Sequence, residues 1–461
     1  MKLHIIHTND LHGHLEKWLP LSTYVHNRRQ EILNQGDFCL LFDIGDAIDA
    51  AHPLVEASQG QIIIDLFNQL AYDYVTLGNN EGLNQSKQHL SALYQRANFQ
   101  VICANLIDQE TQDYPSFLQA YQILDLPVGR LAIIGLTAPY MTYAYNGYHV
   151  LDSYDALSQQ LKRIKSLDQP VDKIVLLSHL GIRDDRLLAK QFPELDLILG
   201  AHTHHLLMEG EWQGQTLLGG CGRFGEFVGE VVLDFEQDQM AASVKSIEEI
   251  QDLTGLPLSH EYSQQGRDQL RSMTLVHLPF TISAQKLTGH QSFIQYCLEA
   301  LIQETDCQLA FLATGLFLAD LPIGPLTMQH LHESLPHSMH AMVLEFQGWQ
   351  LVEVLDQMIS QEDDLENKLV AGNGFRGKIF GRIIFQGIER PSQEHSWRVL
   401  GQEIRSDNTY RVVTLDHYAY VPFFPLLGQY GHPQIIFPNF IRQIVGNYLI
   451  NTFSDKGVDH D

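Results

Sequence analysis

The sequence predicts an α/β domain followed by a smaller α+β domain, and three observations carry that expectation. Over residues 1–250, short apolar, β-rich runs alternate with stretches of helical periodicity, the pattern of an α/β fold. Towards the end of that span the alternation gives way to consecutive strands. Between residues 251 and 273 the chain turns polar, and beyond it helices and strands mix without regular order. At 461 residues the chain exceeds the usual span of one hydrophobic core, so two domains are expected.

Taken in order, strands are expected at 3–6, 39–43, 74–77, 173–177 and 196–199, with helices at 18–34, 59–70, 85–96, 154–167 and 184–191. Strands at 215–218, 226–235 and 241–247 close the first domain. A short helix near 259–267 is expected inside the linker 251–273. The second domain, 274–453, carries expected helices at 290–304 and 349–359 and strands at 308–313, 341–346, 378–385 and 410–415. Residues 454–461 read as a frayed polar tail. No internal repeat or low-complexity tract is visible.

Five short stretches concentrate the chemistry: Asp10-Leu11-His12, Gly45-Asp46, Gly78-Asn79-Asn80-Glu81, Ser178-His179 and Gly200-Ala201-His202-Thr203-His204. Each follows one of the apolar runs, so each belongs at the carboxyl end of a strand, where open α/β sheets build their sites. Together they offer carboxylate, imidazole and amide oxygen, enough ligands for two metal ions. That mixture suits Zn, Mn, Fe, Co or Ni, whereas Ca or Mg favours an all-oxygen site.

The order and spacing of these stretches resemble the calcineurin-like metallophosphoesterases, with their pattern D-x-H, G-D, G-N-H, H, G-H-x-H. The opening His7-Thr8-Asn9-Asp10-Leu11-His12-Gly13-His14 narrows the resemblance to the 5′-nucleotidase superfamily, near the cytoplasmic UDP-sugar hydrolase and 2′,3′-cyclic phosphodiesterase relatives. The resemblance implies a β-sandwich core flanked by helices. It assigns Asp10, His12 and His204 to one metal and Asn79, His179 and His202 to the other, with Asp46 bridging. Two such ions, about 3.5–4 Å apart, turn a bridging water into a hydroxide nucleophile at neutral pH and neutralise the phosphoryl oxygens. The implied activity is hydrolysis of a phosphate ester.

One catalytic position departs from the pattern. Relatives read G-N-H-E, with the His serving the leaving group, and place an Asp three residues beyond that His; here the two positions hold Asn80 and Leu83. An amide donates a hydrogen bond but no proton, and general acid catalysis is worth about 10²–10⁴-fold. Three readings stay open: another His, among His14, His205, His337 and His340, supplies the proton; the substrate has a good leaving group, as in a phosphodiester or pyrophosphate; or the protein binds its ligand with little turnover.

The second domain resembles the C-terminal domain of 5′-nucleotidases, most clearly at Gly315-Leu316-Phe317-Leu318-Ala319-Asp320-Leu321-Pro322. Leu318 stands where relatives carry a substrate-gripping Arg, and an apolar side chain cannot replace its fork of donors. Arg376 and Arg382 are the candidate replacements. In relatives a base stacks between two aromatic rings, and Phe375, Tyr418, Tyr420 and Phe423 are the candidates here, a stacked base being worth about 1–3 kcal/mol.

Charge and composition bound the partners. With 55 acidic against 29 basic residues and a net charge of −26, a nucleic acid is not the expected partner; a small phosphorylated metabolite, with a nucleotide first, is, because metal ions reverse the local sign. Met1 stands directly before the first strand, leaving no room for a signal peptide, and no apolar run approaches the ~18 residues of a membrane span. Five cysteines, an odd number without C-x-x-C spacing, read as reduced thiols of a cytoplasmic protein. The oligomeric state is left open.

Overall fold

The computed structural model describes residues 1–249, 260–370, 374–391 and 396–454. The chain divides into two compact units, Met1–Gly266 and Arg267–Asp461, and the division falls inside the helix His260–Ser272. The expected tail lies outside the described residues except for Ser454, which ends the helix Ile441–Ser454.

In the first unit two sheets stack. One has seven strands, in the order Gln239–Ser246, Phe227–Asp234, Leu3–Thr8, Phe38–Asp43, Tyr74–Val75, Gln100–Ile102 and Leu118–Gln119; the other has six, in the order Glu211–Gln213, Thr216–Gly219, Leu197–Gly200, Lys173–His179, Gly129–Thr137 and Tyr121–Leu126. Leu3, Ile5, Phe42, Leu131, Ile133, Val175, Leu177, Leu197 and Leu199 fill the space between them. On the outer faces, Ile6 and Leu41 meet the helices Trp18–Asn34 and Gln61–Leu70, while Ile134, Leu176 and Ile198 meet Ser153–Lys165 and Ile182–Gln191. Central strands are covered on both faces, so Leu3–Thr8 is buried at all six positions, including the polar His4, His7 and Thr8.

Leu3–Thr8, Phe38–Asp43, Tyr74–Val75 and Gln100–Ile102 run parallel, and so do Gly129–Thr137, Lys173–His179 and Leu197–Gly200. Their carboxyl ends therefore gather the five stretches. The hairpin Tyr121–Leu126 with Gly129–Thr137 is an element that the sequence pattern did not single out.

The second unit is built on a five-stranded sheet, in the order Ile383–Gln386, Leu309–Ala313, Thr409–Leu415, His340–Gln347 and Gln434–Phe440. Its core includes residues from the helices Phe293–Thr305, Gly348–Ser360 and Ile441–Ser454. The strand expected at 378–385 is corrected: regular structure begins only at Ile383. Gly381 takes a left-handed φ of 83°, which breaks the extended run, and a Cβ there would strike Thr314. No helix among the described residues is long and apolar enough to cross a membrane.

The two sheets of the first unit approach closely at Gly135, where the Ala104 N–H donates to the Gly135 carbonyl at 2.7 Å and a Cβ would collide with the Ile102 carbonyl oxygen. Gly135→Ala is expected to destabilise this unit by about 1–3 kcal/mol through overpacking, read as a lower urea midpoint. An unchanged midpoint would show that the sheets slide apart without cost.

Candidate metal centre

Asp10, His12 and His204 bring ligand atoms together in one cluster, and Asp46, His179 and His202 in a second. In the first, His12 Nε2 and His204 Nε2 stand 3.1 Å apart, and 3.8 Å and 3.6 Å from Asp10 Oδ1. Asp46 Oδ2 joins the two, 3.4 Å from His179 Nε2 and 3.7 Å from His12 Nε2. Its other oxygen accepts the Asn80 backbone N–H at 2.7 Å.

The surroundings leave specific atoms facing inward. His179 Nδ1 donates to the Ile44 carbonyl at 2.6 Å, which presents Nε2 as the ligand-competent nitrogen. His179 Nε2 and Asn79 Oδ1 are buried and take part in no hydrogen bond. Buried polar atoms are ordinarily satisfied, so these two, with the carboxylates and imidazoles beside them, fit divalent cations of the Mn, Zn, Fe, Co and Ni class. The carboxylate of Asp10 is held by Asn9 Nδ2 at 2.7 Å and by the His202 backbone N–H at 3.1 Å.

Backbone strain collects at the same place. Asp10, His12, Asp46, His202 and His204 all have left-handed φ, between 48° and 72°, a conformation that costs non-glycine residues on the order of 1–3 kcal/mol each. The loops hold these angles because the neighbouring strands and buried contacts fix both ends. Glu81, buried inside the first unit, is the main such contact. Its carboxylate accepts four backbone N–H groups, from Asp46 at 3.0 Å, Ala47 at 2.8 Å, Ile48 at 2.9 Å and Gly78 at 2.9 Å.

The charges in the cluster act on one another. Burial raises the Asp10 carboxyl to about 6 against the pull of the His179 charge. For Asp46, burial works upward as well, but the His179 and His12 imidazolium charges outweigh it and leave the carboxyl below the usual range. Burial alone would lower His179, yet the Asp46 and Asp10 carboxylates push it up to about 10. His202 is held down to about 4 by burial and by the neighbouring His179, and His204 to about 4 by burial, His12 and Arg223. Cations bound here would displace the protons on the ligating groups.

The structure thus brings together six of the residues expected as ligands in the two clusters, with Asn79 presenting its Oδ1. Asn80 Nδ2 lies 3.0 Å from His12 Nδ1, so its side chain borders the first cluster. Of the spare histidines, His14 is half-exposed and packs on Phe224 at 3.9 Å, next to His12 and His204. His205 sits against Gly200 and Gly220. His337 and His340 belong to the second unit, one bonded to the Leu316 carbonyl, the other facing Asp416 at 3.3 Å. The sequence reading did not single out Arg223, whose Nη1 is 3.2 Å from His204 Nδ1, nor Tyr140, whose hydroxyl is 3.2 Å from His202 Nε2. Gly222-Arg223-Phe224-Gly225, a glycine-flanked cation, was the available signal for the first; nothing local marks the second.

In the second unit the aromatic candidates are largely committed to packing. Phe375 is 5% exposed and stacks on His337 and His417. Tyr418 is buried and its hydroxyl accepts the Ala313 N–H at 2.7 Å. Both rings expected to stack a base are thus buried against these neighbours. Phe423, half-buried, meets Phe380 edge-on at 5.6 Å, and the side chain of Tyr420 lies outside the described residues. Arg376 and Arg382 are exposed, Arg382 3.5 Å from Glu362, and Leu318 is exposed.

Residues 3–206 match the model of the calcineurin-like phosphoesterases, and residues 272–421 that of the 5′-nucleotidase C-terminal domain. The uncharacterized metallophosphoesterase YunD of Bacillus subtilis is 30% identical over 96% of this chain and 98% of its own length. The trifunctional nucleotide phosphoesterase YfkN of the same organism is 24% identical over 89% of this chain, which spans 31% of that longer protein. Among solved structures, a Staphylococcus aureus protein in complex with α-ketoglutarate aligns with a TM-score of 0.68 at 18% identity, over 99% of this chain and 98% of that one. The Haemophilus influenzae NAD nucleotidase aligns with a TM-score of 0.64 at 16% identity, over 99% and 96%. The chain belongs to the 5′-nucleotidase family of calcineurin-like phosphoesterases. It is a metallophosphoesterase of that family, with two candidate His/Asp metal clusters.

Glu81→Gln leaves one oxygen where two now accept four N–H groups. The substitution is expected to cost about 2–3 kcal/mol, the worth of hydrogen bonds to a charged group, and to loosen metal retention, read by urea unfolding and by elemental analysis after dialysis. If stability and metal content both match wild type, the Glu81 carboxylate does not hold the Asp46 loop.

Proposed function

We propose that this protein is a dinuclear metal-dependent hydrolase of a small phosphorylated metabolite, with a nucleotide as the first candidate. The observation that carries the reading is the position of Asp46 Oδ2 between His179 of one cluster and His12 of the other. Asp10, His12 and His204 would hold one ion, Asn79, His179 and His202 the second, and Asp46 both. Bound there, the ions would supply an acidified water and neutralise the phosphoryl oxygens.

The chain's own groups set the rest. The Ile44 carbonyl keeps His179 in one tautomer, and Glu81 keeps the Asp46 loop in its left-handed turn. Asn80 borders the first cluster with an amide, so the leaving oxygen receives a hydrogen bond at most, and no proton. A second reading follows from that one residue: substrates with a good leaving group, phosphodiesters or pyrophosphates, are favoured over simple alkyl esters. The packed rings of Phe375 and Tyr418 weigh against tight capture of a base by these two residues. A cytoplasmic setting, supported by five free cysteines, completes the proposal.

Asp46→Ala is expected to abolish hydrolysis and to bring metal content below two per chain, measured by elemental analysis. Two retained ions with full activity would refute the ligand assignment. In wild type the rate is expected to fall steeply as leaving-group pKa rises, so that an aryl phosphate outruns a nucleoside monophosphate by about 10²-fold or more. Asn80→His with Leu83→Asp should flatten that dependence. A flat dependence in wild type, with chemistry rate-limiting, would mean that another residue already donates the proton.

A further inference from the structure

The loop after the strand Thr216–Gly219 carries Arg223 on a tight turn. Gly222, Phe224 and Gly225 all have left-handed φ, at 74°, 60° and 63°, and the Phe224 N–H donates to the Asp10 carbonyl at 2.8 Å. The turn is thereby tied to the loop that bears two of the ligands. The guanidinium lies over the Phe224 ring at 4.5 Å, and its Nη1 is 3.2 Å from His204 Nδ1. Arg223 is exposed, and among the described residues no carboxylate pairs with it, although acidic residues outnumber basic ones 55 to 29.

His204 faces Asp10 and His12 through Nε2. A histidine that gives Nε2 to a metal carries its hydrogen on Nδ1, and that N–H cannot accept from a guanidinium, which has donors only. With a cation in the first cluster, Arg223 is left beside the site without an acceptor. Arginine's planar fork then suits an anionic oxygen of the ligand. Arg223 stands outside the ring of ligands, on the Nδ1 side of His204 and away from the atoms that face Asp10 and His12. Asn80, which meets His12 Nδ1 at 3.0 Å, flanks the same cluster from the neighbouring ring.

We infer that Arg223 is a specificity-determining residue that grips a second anionic group, so that the site favours diphosphate substrates over simple phosphomonoesters. This rests on the hydrolase reading given above and deepens it. In such a substrate water forms a bond to one phosphorus while the bond from that phosphorus to the bridging oxygen breaks. The electron pair leaves with the second phosphate, and the protons of the water pass to solvent. The departing phosphate is stable as an anion beside a guanidinium, so it needs no acid at position 80.

The test is calorimetric titration of the metal-loaded full chain with methylphosphonate and methylenediphosphonate, two probes that contain no hydrolysable ester. Wild type is expected to bind the diphosphonate more tightly. Arg223→Gln should weaken the diphosphonate by roughly tenfold to a hundredfold, the range for losing a charge-assisted contact, and the monophosphonate by less than about threefold, with two metals kept. Arg223→Lys, which keeps the charge without the fork, should fall between. Equal losses for both probes, no loss for either, or loss of metal in Arg223→Gln would overturn the inference. An Arg223-dependent diphosphonate preference in a protein that hydrolyses nothing would sink the hydrolase reading and leave this one standing; hydrolysis without the preference would do the reverse.

Discussion

The carboxylate of Glu81 is the contact on which the candidate metal centre hangs. Three of its four N–H donors belong to consecutive residues, Asp46, Ala47 and Ile48, and the fourth to Gly78. A single buried anion therefore joins the loop that bears the Asp46 carboxylate to the turn that bears Asn79 and Asn80. Gly45 and Gly78 are needed for that approach, since a Cβ on either would strike the other loop. Burial raises the Glu81 carboxyl, as does the nearby Asp46 charge, so the four donors are what make an anion there tolerable.

From that anchor the strained geometry spreads. Left-handed backbone occurs at Asp10, His12, Asp46, His202 and His204, the residues whose side chains gather in the two clusters. Such strain persists only where surrounding structure over-determines it. The parallel strands do this by burying each loop's entry; the Asp10 N–H donates to the Gly45 carbonyl and the His12 N–H to the Asp46 carbonyl, tying ligand loops to one another. Asn9 adds a further tie, reaching Asp10 and the Gly222 carbonyl.

The departures from the family pattern form a consistent set. Asn80, Leu83 and Leu318 stand where the resembled pattern carries an acid, a carboxylate that orients it and a guanidinium. At the rim of the first cluster stands Arg223, with Tyr140 beside the second. The candidate ligands match the resembled pattern while groups around them depart from it, and discrimination between substrates is set in such surroundings.

The strands that carry the five stretches were legible in the first unit because both of their faces are covered, which makes them largely apolar, and because each stretch follows such a run; the hairpin Tyr121–Leu126 with Gly129–Thr137 was not. That Asp10, His12, His204, Asp46, His179 and His202 fall into two clusters could be expected for the same reason, since each sits at a strand end and motif spacing is local. The second unit was less legible. Its strand at Ile383–Gln386 is preceded by glycine turns that periodicity does not register, and whether Phe375 or Tyr418 is a platform or a core ring depends on neighbours more than thirty residues away, His337 and Ala313 among them. What the sequence by itself determined is the class of chemistry, since residue type and strand-end position dictate which atoms can bind a cation. Only the tertiary structure decided which side chains border those atoms, because Tyr140 and Arg223 reach the site by chain reversals that leave no periodic trace, and the four N–H groups that Glu81 accepts come largely from a loop more than thirty residues earlier.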